Sequence, residues 1–128
     1  MEPAVFDFWE RVDAIRERDP RFRREAYEFV MRGLEHTTQR VVGQRRHVSG
    51  QELLRGLVDL ARQDYGELAW AVFREWGVST SEDFGTIVFH LLADGLLGRQ
   101  PEDSQADFSG GIDLRAELEP PARPHPPA

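Results

Sequence analysis

Residues 49–95 decide the fold of this chain, and they read SGQELLRGLVDLARQDYGELAWAVFREWGVSTSEDFGTIVFHLLADG. Ser49 and Glu52 have the spacing of a capping box, in which a serine and a glutamate three residues later bind each other's backbone amides at the start of a helix. The leucines that follow recur at helical spacing. The pattern therefore predicts a helix that begins at Gly50.

Two more helices are predicted in the same stretch. Gly66 interrupts the first apolar run, and a second run continues to Gly77, a residue type that often follows the last turn of a helix. Ser79 and Glu82 repeat the capping-box spacing before a third run, which ends near Gly95. The stretch thus predicts three consecutive helices separated by turns that contain glycine.

The residues before this stretch predict two further helices. Apolar residues recur at helical spacing between Val5 and Ile15, which indicates a first helix over residues 3–17. Asp19 and Pro20 are the residue types favoured at the N-cap and at the first position of a helix. We therefore expect a second helix to start at this pair and to continue to about His36.

Two segments favour short strands. Residues 37–48 are rich in β-branched side chains and contain a glycine, which predicts a short strand or a hairpin-like excursion. Residues 112–114 are expected to form a second strand that pairs with residues 40–42. The polar loop over residues 98–111 has Phe108 as its only large apolar residue, so we expect Phe108 to hold this loop onto the domain.

The predicted fold class is mainly α, or α+β at most. It has about five helices packed as one domain over residues 1–118, with one or two short strands. The order of the last three helices and the polar loop also fits a winged-helix-like second half. Residues 119–128 are rich in proline and predict a disordered tail.

Composition excludes several kinds of chemistry. The 128 residues include no cysteine, which rules out disulfides, thiolate nucleophiles and thiolate metal sites. Every basic residue is arginine, so a lysine Schiff base and a P-loop lysine are impossible. No apolar run approaches the ~18 residues of a membrane span, and the N-terminal residues lack the basic start of a signal peptide. These features predict a cytoplasmic protein without membrane contact.

Charge is unevenly distributed along the chain. Residues 1–47 carry ten arginines and nine acidic residues, whereas residues 48–128 carry six arginines and fourteen acidic residues, giving a net charge of −7. An acidic surface repels phosphate backbones, so this balance argues against nucleic acid as the partner. The acidic part of the chain is suited to meet a basic partner protein.

Arg45, Arg46 and His47 form the strongest candidate for a partner or anion contact. They are expected to be electropositive and to lie directly before a helix N-terminus, where free amides favour anions. The alternative is that these side chains pair with the plentiful surface carboxylates, as a second arginine cluster over residues 16–24 is also expected to do.

No catalytic, cofactor or metal site is predicted. His90 and Asp94 lie four residues apart, the spacing of half a metal site or of an oriented general base. A metal site needs at least three ligands, so we expect a partly exposed histidine paired with its helix neighbour. The acidic residues over 102–107 lack the spacing of a calcium loop, and no G-x-S-x-G motif occurs.

Several linked motifs carry a family resemblance. They are RHVSGQELL at residues 46–54, WGV at 76–78, EDFGTIVF at 82–89 and DGLL at 94–97, followed by EDS at 102–104 and DF at 107–108. With these motifs the chain resembles a family of small uncharacterised bacterial proteins, a domain of unknown function, over roughly residues 20–115. The family would have a more aromatic segment at residues 110–115. The resemblance implies a bacterial folded domain and assigns no activity.

Three functions remain open on the sequence. The first is a non-catalytic protein-binding or adaptor domain of the bacterial cytoplasm, which the helical core and the acidic second half favour. The second is a winged-helix-like regulator associated with nucleic acid, although the last helix offers few outward arginines to contact phosphates. The third is a small enzyme that uses His47 or His90 as a general base.

Overall fold

The computed structural model describes residues 5–42, 48–97 and 105–121. These residues form six α-helices, and none of them belongs to a strand, which confirms a mainly α fold packed as one domain. The helices are α1 (Val5–Arg18), α2 (Arg24–His36), α3 (Gly50–Tyr65), α4 (Ala69–Glu75), α5 (Ser81–Ala93) and α6 (Leu114–Leu118). The five predicted helices are all present, and α6 replaces a predicted strand.

Helix α3 begins where the capping box predicted. The Ser49 hydroxyl accepts the Glu52 amide at 3.1 Å, and the Glu52 carboxylate accepts the Ser49 amide at 3.1 Å. The helix then buries Leu54 and Leu57 completely. Because local hydrogen bonds fix its first turn, α3 gives the other helices a defined surface on which to pack.

Replacing Ser49 with alanine should lower the free energy of unfolding by about 1 kcal/mol, because the Glu52 amide loses its side-chain acceptor. Urea unfolding followed by circular dichroism measures this difference. Ser79→Ala is the matched control, because Ser79 contributes its backbone amide to a hydrogen bond with Asp83 and that amide survives the substitution. Equal losses in the two variants would contradict the assignment of Ser49 as the cap.

The second capping box lies one residue later than predicted. Asp83, in place of Glu82, accepts the amides of Ser79 and Thr80, at 2.8 and 3.1 Å. Glu82 instead accepts the amide of Gly110 at 3.4 Å, so its carboxylate serves a contact between α5 and a distant loop. The helix therefore begins at Ser81, which is buried.

The predicted start of the second helix at Asp19 and Pro20 is wrong. Helix α2 begins at Arg24, and the Asp19 carboxylate binds the side chain of Arg21. Phe22 is buried, and the Arg23 amide donates to the carbonyl of Trp76 at 3.0 Å. These long-range contacts hold residues 19–23 as a turn against the end of α4. The helix ends at His36, as predicted.

The predicted strand over residues 37–48 is wrong for the part that the structure describes. Thr37–Val42 continue α2 as a π-helical segment. The hydroxyls of Thr37 and Thr38 donate to carbonyls four residues earlier, at 2.6 and 2.9 Å, which lets β-branched threonines remain helical. Residues 43–47 lie outside the described residues.

Helices α2 and α3 approach each other closely at two glycines. A Cβ atom at Gly56 would overlap the hydroxyl of Thr37 and lie 2.8 Å from its Cβ. A Cβ atom at Gly33 would overlap the end of the Leu57 side chain. Only residues without a side chain fit at these positions, so the glycines set the distance between the two helices.

Residues 105–121 close the domain without a strand. Gln105–Phe108 form a 3₁₀ turn, and Phe108 is buried against α3, as predicted for the residue that holds this loop. The predicted strand over residues 112–114 is wrong, because Asp113 caps the N-terminus of α6 by accepting the Ala116 amide at 3.1 Å. This segment therefore provides a helix where a winged helix would need strands.

An aromatic cluster forms the centre of the core. Phe29 of α2 lies at its middle, with ring centroids 5.2 to 6.5 Å from those of four other aromatic residues. These are Tyr65, Phe73, Trp76 and Phe84. The cluster joins α2 to α3, α4 and α5, so it packs elements that are distant in sequence. Among the described helices, none is long and apolar enough to cross a membrane.

Candidate functional site

Arg45, Arg46 and His47 lie outside the described residues, so their candidate contact stays a prediction. Val48, which follows them, is buried and lines an apolar crevice between α2, α3 and α5. The crevice has a volume of about 20 Å³. This is room for about one water molecule, so the crevice is too small for a larger ligand.

The best-defined polar site surrounds His90 on α5. Its Nδ1 atom lies 3.0 Å from the hydroxyl of Tyr27 on α2, and its Nε2 atom lies 3.6 Å from a carboxylate oxygen of Asp19. The Arg21 guanidinium holds that carboxylate at 2.6 Å. We call Tyr27, His90 and Asp19 the His90 junction. It connects α5 to α2 and to the turn between α1 and α2.

The neutral imidazole satisfies both neighbours in one tautomer. If the Tyr27 hydroxyl donates to Nδ1, the proton of His90 lies on Nε2 and points toward Asp19. Burial lowers the pKa of His90 below its usual value of 6.5, although the nearby Asp19 carboxylate opposes this effect. Burial also raises the pKa of Tyr27 to about 12, so the phenol keeps its proton.

The prediction that His90 pairs with Asp94 is wrong. Asp94 makes a bidentate contact with Arg18 of α1, with both oxygens 3.1 Å from the same guanidinium nitrogen. The carbonyl of Asp94 accepts a hydrogen bond from Arg11 at 3.2 Å. Asp94 therefore connects the end of α5 to α1. His90 instead contacts α2 and the turn between α1 and α2.

The arginine cluster around the turn between α1 and α2 is a mixed-charge surface, in agreement with the sequence. Each of its arginines contacts a nearby carboxylate or carbonyl. The pairs are Arg16 with the Phe22 carbonyl, Arg18 with Asp94, Arg21 with Asp19, Arg23 with Glu75 and Arg24 with Asp13. These acceptors compete with any phosphate for the guanidinium groups.

His36 is the other histidine in the described part of the chain. Its Nε2 atom lies 2.7 Å from a carboxylate oxygen of Asp59, and its side chain is 8% exposed. This contact connects the end of α2 to α3. Groups of three or more His, Asp and Glu side chains that could hold a metal ion do not occur within the described ranges.

An open cavity lies at the start of α5. Its volume is about 300 Å³, and it is lined by Ser79–Glu82 on one side and by Gly110 and residues 112–114 on the other. The nearby carboxylates already accept hydrogen bonds from backbone amides, since Glu82 accepts the Gly110 amide and Asp113 accepts the Ala116 amide at the start of α6. The cavity therefore offers few groups that are available to a ligand.

Two large apolar side chains are exposed among the described residues. Phe89 on α5 is 53% exposed, and Leu68 before α4 is 67% exposed. The Phe89 ring lies beside the His90 ring, with 6.4 Å between centroids. Phe89 therefore adjoins the His90 junction, whereas Leu68 lies in the 3₁₀ turn that joins α3 to α4.

The chain matches no protein-family model, no curated protein and no solved structure. The resemblance to a bacterial family therefore stays a prediction, and function has to be argued from the geometry. Sequence reasoning missed the partners of His90, because Tyr27 and Asp19 are 63 and 71 positions away. Sequence spacing does not predict contacts between residues that are so far apart in the chain.

Proposed function

We propose that this chain is a non-catalytic protein-binding domain that contacts its partner through the α5 surface around Phe89. The observation that carries the proposal is the 53% exposure of Phe89 on a helix whose neighbouring residues Val88 and Leu91 are buried. Exposed aromatic side chains with arginines nearby are enriched at the centres of protein interfaces. Arg18 and Arg21, with side chains 66% and 57% exposed, interact electrostatically with His90, the residue that follows Phe89.

The expected energy is large enough to measure. Removing the exposed half of a phenylalanine from water is worth about 2 kcal/mol, at ~25 cal/mol per Å². This corresponds to roughly thirty-fold in affinity. Loss of the Phe89 ring should therefore weaken a complex without affecting the buried core.

The geometry around His90 favours binding over catalysis. Tyr27 is fully buried and its hydroxyl occupies Nδ1 of His90, so neither the phenol nor Nδ1 meets a substrate without breaking an existing contact. The carboxylates and the carbonyl that already contact the arginine cluster likewise favour a protein partner over a nucleic acid. The proposal keeps the bacterial cytoplasm as the compartment and Arg45, Arg46 and His47 as a second contact.

Affinity capture from a bacterial cytoplasmic extract tests the proposal. We expect the wild type and Leu68→Ser to retain the same protein, and Phe89→Ser to lose it. Leu68→Ser is the matched control because it also replaces an exposed apolar residue. The retained protein is then purified, and its affinity for Phe89→Ser should be about thirty-fold weaker.

Other outcomes of the capture contradict the proposal in different ways. Equal retention by wild type and Phe89→Ser would remove the α5 surface from the interface. Loss of the partner in an Arg45→Ala, Arg46→Ala, His47→Ala triple variant alone would move the interface to that segment. Nuclease-sensitive nucleic acid in place of a protein would support the alternative of a nucleic-acid-associated regulator.

A further inference from the structure

The Tyr27 hydroxyl is buried and depends on His90. Tyr27 has no exposed surface, and its hydroxyl lies 3.0 Å from Nδ1 of His90. A buried phenol that loses its hydrogen-bond partner leaves a polar group unsatisfied, which is costly. The contact between α2 and α5 at this point therefore depends on the protonation state of one imidazole.

Protonation of His90 has opposite effects on the strength of its contacts with Tyr27 and with Asp19. A neutral Nδ1 accepts the Tyr27 proton, whereas a protonated Nδ1 donates to the Tyr27 oxygen and leaves the buried phenol proton without its acceptor. The positive charge at the same time strengthens the attraction between Nε2 and Asp19. Acidification thus weakens the contact with α2 and strengthens the contact with the turn between α1 and α2.

We propose that the His90 junction is a pH-sensitive contact, in which neutral His90 accepts the buried proton of Tyr27 and holds α2 against α5, and protonation of His90 weakens this contact by leaving that proton without an acceptor. The junction joins three separate elements through one side chain that is 19% exposed, so protons reach it from solvent. The proposal concerns this fold alone and does not depend on the proposed binding function.

Charged groups face His90 from each element packed against it. Asp19 and Arg21 belong to the turn, Arg18 to α1 and Asp94 to α5 itself, while Tyr27 comes from α2. Arg16 lies near Tyr27, and Asp83 lies near Arg21. The carboxylates favour the charged imidazole, the arginines oppose it, and burial is the largest influence and also opposes it.

The sign of the pH dependence follows from the lowered pKa of His90. The unfolded chain takes up a proton near pH 6.5, before the folded chain does. The stability contributed by neutral His90 is therefore fully present above pH 6.5 and is lost as the pH falls through the folded pKa. Between pH 6.5 and the folded pKa of His90, the contact between α2 and α5 at Tyr27 should therefore weaken locally.

Two measurements on the full chain test the proposal. Nuclear magnetic resonance follows the His90 imidazole through its titration, which should lie below pH 6.5 in the wild type. Tyr27→Phe removes the donor that favours neutral His90, so the titration should move upward. Asp19→Asn removes the carboxylate that favours the charged form, so the titration should move downward. These shifts have opposite signs, which a general loss of structure would not produce.

Hydrogen exchange then reports on the contact itself. After correction for intrinsic rates, exchange of the amides in residues 24–30 of α2 should become faster as the pH falls from 7.5 to 5. His90→Gln should remove this acceleration, and the matched control His36→Gln should retain it, because His36 contacts Asp59 on a different helix. A His90 titration at or above pH 6.5, or acceleration that persists unchanged in His90→Gln, would overturn the proposal.

Discussion

Replacing Phe29 with alanine is expected to lower the free energy of unfolding by about 4 kcal/mol, the largest effect of any single substitution considered. Phe29 is 1% exposed, and its ring lies within 6.5 Å of four aromatic rings on three other helices. The substitution removes the apolar surface of a whole ring and leaves a cavity that these rigid neighbours fill poorly. Domains of this size are stable by ~5–15 kcal/mol, so much of the total would be lost.

Urea unfolding followed by both fluorescence and circular dichroism measures this loss. Phe89→Ala is the matched control, because the same chemical change at a half-exposed position should cost only about 1 kcal/mol, from the buried half of the ring less the gain in helix propensity. Phe29→Leu should fall between the two, since leucine refills part of the space. Similar losses for Phe29→Ala and Phe89→Ala would contradict the central position of Phe29 in the core.

Replacing Gly56 with alanine is expected to lower the free energy of unfolding by about 3 kcal/mol, although the same change stabilises most exposed helices. The new methyl group would overlap Thr37, which is completely buried and donates to the Gly33 carbonyl at 2.6 Å. Thr37 has no free space to move into, so α2 and α3 must separate. That separation also loosens the contact between Gly33 and Leu57.

A double-mutant cycle isolates this contact. Thr37→Ala alone should cost about 1 kcal/mol, because it removes one buried hydrogen bond. Combined with Gly56→Ala, it should recover part of the loss, since it removes the hydroxyl that the new methyl group meets first. Simple addition of the two single effects would show that Gly56 and Thr37 do not limit the distance between the helices.

The sequence predicted elements whose signals are local. The start of α3 depends on Ser49 and Glu52, which bind each other within one turn, and the structure has both hydrogen bonds. The end of α5 depends on Gly95, which has a positive φ of 72° that suits glycine. Such elements are predictable because a few neighbouring residues contain all of the interactions that define them.

Predictions failed where a distant residue decides the outcome. Asp19 and Pro20 are residue types favoured at the start of a helix. The Trp76 carbonyl nevertheless accepts the Arg23 amide, so the turn continues and α2 begins only at Arg24. Residues 37–42 have strand propensity, but the small residue at Gly56 gives Thr37 room to stay helical beside α3. Propensity is a weak preference, and one buried contact is enough to reverse it.

The candidate site was predictable only in part. The sequence drew attention to His90 by its spacing to Asp94, but the structure places Tyr27 beside His90 and pairs Asp94 with Arg18. Tyr27 gives no signal of its own, because a tyrosine on an amphipathic helix usually packs against the core. The exposure of Phe89 could not be predicted either. Its helix is apolar on most sides, and only the fold shows which of the apolar side chains is exposed to solvent.

The contacts made by the last described residues set the order in which a growing chain can fold. Phe108, Leu114 and Leu118 are all buried, and the Arg62 side chain on α3 binds the carboxylate of Glu117 at 2.7 Å. During synthesis these C-terminal residues leave the ribosome after helices α1 to α5 have been made. Part of the apolar face of α3 therefore stays uncovered until α6 emerges, and transiently exposed apolar surface of this kind is prone to aggregation during synthesis.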